Sequence, residues 1–150
     1  MAHTFTNLLA HIIFSTKDRA PFMDAELKPE LFAYLGGMMR EVNGKAYGIN
    51  GTADHVHLLV SLPPTITLSE AMKVLKANSS RWVSEKWRAR KACGWQTGYG
   101  AFSVSKSNAP DVLKYIADQE EHHRKVTFKE EFIAFLKKHG IEYDERYIRE

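Results

Sequence analysis

The sequence predicts an α+β fold, in which a four-stranded antiparallel sheet carries two helices on one face and two further helices follow. Three observations favour this class. Apolar residues occur in short β-branched runs typical of strands and, between these runs, at the spacing typical of helices. The segments follow one another in the order β-α-β-β-α-β before the last two helices. Finally, 44% of the 150 residues are hydrophobic and 26% are charged, as in ordinary domains with a buried core.

The first strand and the first helix follow from composition and spacing. Residues 5–16, FTNLLAHIIFST, are apolar and β-branched, which predicts a buried strand. Residues 25–43 carry leucine, methionine and valine at helical spacing, and Asp24 immediately before them is suited to cap the helix. This pair begins the predicted sheet and the helical layer that covers it.

The next two strands form a predicted hairpin. Residues 45–50, KAYGIN, and residues 55–62, HVHLLVSL, are strand-like and are joined by a short Gly-Thr-Ala-Asp turn. A helix is predicted from about residue 68 to residue 91, because Thr67 or Ser69 can cap its start and apolar residues recur at helical spacing. These segments continue the order of the predicted fold.

The sixth element is a short alternating strand, YGAFSVS, at residues 99–105. A helix follows it, because Ser107 or Asn108 can cap the start, Pro110 lies in the first turn, and the helical pattern runs to about Lys125. We therefore expect one continuous helix directly after the sheet is complete.

The last helix has well-defined boundaries. Thr127 and Glu130 form a capping-box pattern, the helix is predicted to run to Lys138, and Gly140 ends it. The first six elements thus match the split βαβ, ferredoxin-like arrangement, and the last two helices are additional to it.

We expect a single domain over residues 1–150, with a core at about 5–106 and the C-terminal helices at about 108–140. The one cysteine, Cys93, excludes an intramolecular disulfide framework and a multi-cysteine zinc site. No apolar run approaches the roughly 20 residues that a membrane helix needs. The N-terminal segment lacks the basic start of a signal peptide. We therefore expect a cytoplasmic protein.

Positive charge is concentrated in the middle of the chain. Residues 66–107 carry eight basic and two acidic side chains, whereas the segments on either side are close to neutral. Trp82, Trp87 and Trp95 are interleaved with these charges, a pattern that suits a polyanion surface on which bases can stack. The alternative is a solvated helix face whose tryptophans point into the core, and for a basic helix taken alone this is the commoner outcome.

The most specific local feature is the segment Asp54-His55-Val56-His57-Leu58. Side chains at i and i+2 of a strand share one face, so His55 and His57 point the same way while Val56 and Leu58 enter the core. Two imidazoles on one rigid strand can bind one divalent cation, although sheet surfaces also carry histidines that bind nothing. A metal site would need at least one further ligand from elsewhere.

The helix that follows the last strand can supply that ligand. Tyr115 and Gln119 are four residues apart and are therefore neighbours on one helix face. Asp118 lies on nearly the same face, and His122 and His123 follow one turn later, so each of them is a rival ligand. Without the histidine pair, the tyrosine would be interpreted as a half-buried structural residue.

Together these segments resemble the single-tyrosine HUH transposases of the IS200/IS605 type. The resemblance extends from about Phe5 to Tyr147, and its most specific part is the combination of His-x-His with a helical Tyr-x-x-x-Gln some sixty residues later. The REP-associated branch usually carries an Asn-Pro-containing stretch after the tyrosine, so this chain is more similar to the insertion-sequence branch. The matching segments are HIIFSTKDR, DHVHLLVSLPP, LKANSSRW, GYGAFSVS and YIADQEEHH.

The resemblance implies a role for each matching residue. His55 and His57 fall on the metal-ligand positions, Gln119 falls on the third ligand, and Tyr115 falls on the nucleophile. The implied cofactor is a divalent metal, Mg²⁺ or Mn²⁺, and the implied substrate is single-stranded DNA with a short hairpin. The tyrosine would attack a phosphodiester, form a 5′-phosphotyrosine and leave a 3′-OH for strand transfer.

The resemblance also implies a homodimer, in which the tyrosine helix completes the partner's metal site. The first strand or another sheet edge would supply the dimer contact. The basic central segment is the expected DNA contact, through phosphate neutralisation, and the candidate residues are Lys73, Lys76 and Arg81.

Two other functions fit the same residues. The first is a domesticated relative of the REP-associated type that binds hairpin DNA without cutting it, although the intact site argues against lost catalysis. The second is a metal-dependent phosphohydrolase that uses the histidine pair with His122 or His123, while Tyr115 is structural.

Overall fold

The computed structural model describes residues 3–87 and 94–148. Within these ranges it contains a four-stranded sheet and five helices, together with short 3₁₀ turns at Lys17–Arg19, Lys106–Asn108 and Glu145–Tyr147. None of the helices in these ranges is both long enough and apolar enough to cross a membrane. In chain order the elements are β1 (Leu8–Ser15), α1 (Leu27–Glu41), β2 (Lys45–Gly51), β3 (His55–Leu62), α2 (Leu68–Lys86), β4 (Gly100–Val104), α3 (Ala109–Ala117), α4 (Gln119–His122) and α5 (Phe128–Lys138).

The strands lie in the order β2-β3-β1-β4, and every neighbouring pair is antiparallel. This is the order of the split βαβ arrangement, so the predicted α+β, ferredoxin-like fold is confirmed. β1 lies between β3 and β4 and is hydrogen-bonded on both sides. Of the two dimer contacts that we expected, the first strand is excluded because β1 is paired on both sides, whereas another sheet edge, β2 or β4, stays a prediction.

One face of the sheet packs against α1 and α2. Ile12 and Phe14 of β1 and Val56 and Leu58 of β3 are fully buried there, as the alternation of β3 predicted. Burying a side chain of this size contributes about 1.5–3 kcal/mol, so this layer is a major source of stability. The helices contribute Leu27, Leu31, Leu35, Met39, Met72, Leu75 and Val83 to the same cluster.

The C-terminal helices cover the opposite face of the sheet. Ile116 of α3 belongs to a buried cluster with Leu59, and Phe128 and Leu136 of α5 belong to a cluster with Ile13. The sheet is thus enclosed between two helical layers. Histidines on this face are therefore buried, whereas a bare sheet surface would leave them in water.

Several helix boundaries agree with the predicted caps. The Asp24 carboxylate accepts the N–H of Leu27 at 2.9 Å. The Thr67 hydroxyl caps α2 by accepting the N–H of Glu70 at 3.1 Å. The capping box of α5 is complete, and Gly140 follows that helix with a φ of +65°, a conformation that suits glycine. The second helix was predicted to run to about residue 91, but α2 ends at Lys86. Residues 88–91 of that prediction lie outside the described residues.

The helix predicted to run to Lys125 is interrupted. α3 ends at Ala117, and α4 begins only after Asp118, whose φ of −96° and ψ of 20° depart from the helix. The side chain of Asn50 on β2 donates to the carbonyls of Ile116 and Ala117, at 2.9 and 3.1 Å, and so satisfies two groups that a continuing helix would have used. The start also differs from prediction, because neither Ser107 nor Asn108 caps α3 with its side chain.

Candidate metal and nucleophile site

The histidine pair lies on β3, on the sheet face that the C-terminal helices cover. His55 and His57 are 1% and 0% exposed, and their ring centroids are 5.3 Å apart. They share this face because they are two residues apart on one strand. The paired imidazoles therefore form the floor of a buried site.

His55 is oriented by residues behind it. Its Nδ1 lies 2.8 Å from the Asp54 carboxylate and 2.9 Å from the Thr52 hydroxyl, and Asp54 in turn pairs with Arg19 at 3.0 Å. Burial acts to raise the pKa of Asp54, but hydrogen bonds from His55 and Arg19 hold it well below its usual range. An ionised Asp54 fixes the proton of His55 on Nδ1 and leaves Nε2 free to face the site.

His57 is held between two elements. Its Nδ1 lies 2.8 Å from Nε2 of His11 on β1, and its Nε2 lies 2.9 Å from Oε1 of Glu131 on α5. Burial lowers the pKa of His57 to about 4 and that of His11 to about 3. Both imidazoles are therefore neutral near pH 7, which is the form that binds a metal.

Glu131 is a residue of this site that the sequence analysis did not select. It is 2% exposed, and its Oε1 faces three imidazoles: His57 at 2.9 Å, His123 at 3.1 Å and His55 at 3.7 Å. Burial acts to raise the pKa of Glu131, but hydrogen bonds from His123 and His57 hold it far below its usual range. One signal could have found it, since Glu131 shares the apolar stripe of α5 with Phe128.

Tyr115 reaches the same carboxylate from the other side. Its hydroxyl donates to Oε2 of Glu131 and lies 3.0 Å from Nε2 of His122, and its ring centroid is 5.8 Å from that of His57. Burial, reinforced by the bond to Glu131, raises the pKa of Tyr115 well above its usual range. The phenol is thus protonated in this arrangement.

Gln119, the first residue of α4, is fully buried next to the histidine pair. Its Oε1 lies 3.4 Å from Nε2 of His55, and its Nε2 donates to the carbonyl of Tyr115 at 3.3 Å. The interruption of the helix at Asp118 therefore still leaves Gln119 one turn from Tyr115. The structure brings together all four residues that the sequence analysis selected.

The three rival ligands of the sequence analysis, Asp118, His122 and His123, lie in different surroundings. His123 joins the cluster, with Nε2 3.0 Å from Nε2 of His55. His122 lies on the tyrosine side, and Asp118 is exposed. Among the described residues, four therefore offer ligand atoms that all lie within 4.8 Å of one another: His55, His57, His123 and Glu131. Imidazole nitrogens together with one carboxylate suit a divalent ion, so these residues fit a metal.

A cleft gives access to Tyr115 from solvent. Its volume is about 580 Å³, and its lining is mainly apolar, with Phe135, His11 and Val112 beside the tyrosine. Lys138 stands among its polar lining residues. A substrate can therefore approach the phenol without any opening of the histidine floor.

The candidate DNA contacts lie on the other side of the sheet, on α2. Lys73 and Arg81 are exposed there. Lys76 is different, because its ammonium donates to the carbonyls of Gln96, at 2.9 Å, and Gly98. Burial lowers the pKa of Lys76 to about 8. Lys76 thus ties α2 to the segment before β4, and it is not a free surface cation.

The tryptophans of the basic segment pack against the core. Trp82 stacks on Tyr34 with ring centroids 4.9 Å apart, and Trp95 meets Phe14 edge-on at 4.8 Å. Trp87 is also packed against this cluster. Their partly buried positions agree with the structural alternative and offer no free platform for base stacking. Of the other basic residues, Arg88, Arg90 and Lys91 lie outside the described residues.

The sequence matches the family described as "Transposase IS200 like" over residues 4–119. Over 126 residues it is 30% identical to the transposase for insertion sequence element IS200 of Salmonella typhimurium strain LT2, covering 81% of this chain and 82% of that protein. It is 27% identical over 116 residues to the ISDra2 transposase TnpA of Deinococcus radiodurans, covering 74% of this chain and 83% of that protein.

Two solved structures share the fold. A Deinococcus radiodurans R1 protein described as a transposase superposes with a TM-score of 0.66 at 22% identity, covering 79% of this chain and 95% of the other. A REP-associated tyrosine transposase, solved bound to a REP hairpin, superposes with a TM-score of 0.62 at 12% identity, and the match covers 84% of this chain and 74% of the other. With the family match extending over most of its length, this chain belongs to the IS200-like family of single-tyrosine transposases.

Proposed function

We propose that this chain cuts and rejoins single-stranded DNA, with Tyr115 as the nucleophile. The observation that carries the proposal is the shared carboxylate: Glu131 binds both the Tyr115 hydroxyl and the His57 imidazole within one chain. The phenol is thereby held beside the histidine pair, and it borders a cleft that opens to solvent.

The reaction follows from this placement. Tyr115 would attack the phosphorus of a phosphodiester, so that a phosphotyrosine bond to the DNA 5′ end forms while the bond to the 3′ oxygen breaks. The phenol releases its proton as it attacks, and the 3′ oxygen takes up one proton and leaves as a 3′-OH, so protons balance over the step. Because the phosphotyrosine ester keeps the bond energy, the 3′-OH of a second strand can displace the tyrosine and reseal the DNA.

His55 and His57 would hold a divalent ion, with Gln119 as the third ligand that the family resemblance implies. Both histidine Nε2 atoms face the buried site, and the Gln119 amide oxygen is 3.4 Å from one of them. Mg²⁺ or Mn²⁺ bound there would supply positive charge to neutralise the scissile phosphate. The chain's own residues position the phenol, and burial keeps the His57 imidazole neutral.

A covalent adduct tests the proposal. Wild-type protein is incubated with Mn²⁺ and a pool of labelled hairpin oligonucleotides with randomised flanks, and the products are separated in SDS. We expect an SDS-resistant protein–DNA band that disappears in Tyr115→Phe, which keeps the ring but lacks the nucleophile. Hairpin binding without any adduct would favour the non-cutting relative. Cleavage that persists in Tyr115→Phe would favour a phosphohydrolase.

We propose a hairpin-bearing single strand as the DNA partner, supported by the fold shared with the hairpin-bound REP-associated transposase. Lys73 and Arg81 are the exposed cations of α2 among the candidate contacts. If they neutralise phosphates, binding weakens steeply with salt, and each substitution to alanine reduces the salt dependence by about one counterion.

We also propose a homodimer, for which β2 and β4 are the available sheet edges. In the single chain the ring centroid of Tyr115 lies 5.8 Å from that of His57, which supports a site built within one subunit. The exchange of helices between partners that the resemblance implies would require α3 to leave its cluster with Leu59.

A further inference from the structure

We infer that, in this chain, His123 and Glu131 take the place of Gln119 in completing the metal site that the resemblance assigns to His55 and His57. His123 and Glu131 join His55 and His57, and the resulting three-histidine, one-carboxylate site binds Zn²⁺ and Mn²⁺ more tightly than Mg²⁺. The inference deepens the proposed function, because it rests on the metal that we assign to the same histidine pair. Both added residues lie beyond the family match, which ends at residue 119.

The spacing of the donor atoms supports this ligand set. An ion bound tetrahedrally at 2.0–2.1 Å holds its donors about 3.3 Å apart. His57 Nε2 and His123 Nε2 lie 2.9 and 3.1 Å from Oε1 of Glu131, and His55 Nε2 lies 3.7 Å from it. The His55 and His123 nitrogens are 3.0 Å apart. These four separations are close to the required value, and all four donor atoms lie within 4.8 Å of one another.

The partners behind the histidines are a second, independent indication. Histidines that bind metals usually donate their other ring N–H to a carboxylate or another acceptor, which fixes the ring and the tautomer. His55 Nδ1 lies 2.8 Å from the Asp54 carboxylate, and His57 Nδ1 lies 2.8 Å from Nε2 of His11. Both rings are therefore turned so that Nε2 is the atom presented to the ion.

The two oxygens of Glu131 have different neighbours. Oε1 faces the imidazoles, whereas Oε2 accepts the bond from Tyr115 and lies 3.2 Å from His122. As a ligand through Oε1, Glu131 would also be a positioning residue for the nucleophile through Oε2. His122, although adjacent to His123, is on the tyrosine side of the carboxylate and would not be a ligand.

The donor set determines the preference among ions. Imidazole nitrogen suits Zn²⁺ and related transition metals, whereas Mg²⁺ prefers oxygen ligands and loses its water reluctantly. A site with three nitrogens therefore favours Zn²⁺ over Mn²⁺ and Mn²⁺ over Mg²⁺. Of the two ions implied by the resemblance, this chain would select Mn²⁺.

Calorimetric titration of metal-stripped protein, without DNA, tests the inference. We expect one Zn²⁺ per chain in the wild type, weaker Mn²⁺ and much weaker Mg²⁺. Glu131→Gln and His123→Ala should each lower Zn²⁺ affinity by at least about tenfold. The matched control His122→Ala should keep a Zn²⁺ affinity within about threefold of the wild-type value. Circular dichroism verifies that each variant is folded.

The outcomes separate this inference from the proposed function. If Glu131→Gln and His123→Ala both bind Zn²⁺ like the wild type while His57→Ala does not, the two residues are not ligands and the inference is overturned. The inference is also overturned if the wild type binds no metal, or if it binds Zn²⁺ and Mn²⁺ no more tightly than Mg²⁺. The DNA adduct is scored separately, so its formation in either case leaves Tyr115 chemistry intact.

Discussion

The substitution Asp54→Asn tests whether the histidine pair is oriented from behind. The Asp54 carboxylate lies 2.8 Å from His55 Nδ1 and accepts bonds from Arg19 at 3.0 Å and Thr52 at 3.1 Å. Its side chain is 21% exposed. Hydrogen bonds to a charged group contribute about 1.5–3 kcal/mol, and asparagine keeps an acceptor but loses the charge. We therefore expect the free energy of unfolding at pH 7 to fall by about 2 kcal/mol.

This loss should depend on pH with a definite sign. Although burial opposes it, hydrogen bonding to His55 and Arg19 holds the pKa of Asp54 below its unfolded value of about 3.9. A carboxyl with a depressed folded pKa contributes stability above its unfolded pKa and loses it as the pH falls toward the folded pKa. The gap between wild type and Asp54→Asn should therefore narrow by about 1 kcal/mol between pH 7 and pH 3.

Urea unfolding followed by circular dichroism at the two pH values measures both quantities. Asp144→Asn is the matched control, because Asp144 also pairs with an arginine, Arg146, but on the exposed surface. The urea concentration at which half of the Asp144→Asn protein is unfolded should equal that of the wild type. If Asp54→Asn also unfolds at the wild-type urea concentration at pH 7, or if its loss of stability is as large at pH 3 as at pH 7, the Asp54 charge does not stabilise the fold.

Four further measurements follow from the structure. Ile116→Ala, which empties a 2%-exposed position between α3 and the sheet, should lower the free energy of unfolding by about 2–4 kcal/mol in urea. Lys76→Ala should lower the melting temperature, whereas Lys73→Ala should leave it unchanged and weaken DNA binding in a salt titration. Zn²⁺ at a hundred times its Kd should stabilise the wild type by about 2.7 kcal/mol in thermal unfolding, but should not stabilise His57→Ala. Mixing Tyr115→Phe with His57→Ala should not restore the DNA adduct if each site is built within one chain, and restoration would show exchange between subunits.

Local signals predicted much of this fold. The predicted and observed bounds of the strand His55–Leu62 are identical, because its alternating pattern and the turn before it are encoded in adjacent residues. The capping box at Thr127 was equally local. The break at Asp118 was not predictable in this way, since it depends on Asn50, which is 67 residues away from Ala117 in sequence. Tertiary hydrogen bonding there outweighs helical spacing.

The site shows the same division. The face shared by His55 and His57 follows from strand geometry, and the pairing of Tyr115 with Gln119 follows from helical spacing. Glu131 escaped notice because a glutamate in the first turn of a helix is ordinarily a solvated residue that favours the helix dipole. Only the packing of α5 over β3 shows that its carboxylate is enclosed by imidazoles.

The position of Glu131 makes the register of α5 critical. Successive residues of an α-helix are rotated by about 100°, so a one-residue shift would turn this carboxylate away from the imidazoles and bring a neighbour toward them. The capping box fixes where α5 starts, and only 124–127 separate His123 from the helix. Insertions or deletions in 124–127 should therefore disable metal and tyrosine positioning together, whereas extensions after Lys138 should be tolerated. Anyone grafting or shortening this helix must preserve that spacing.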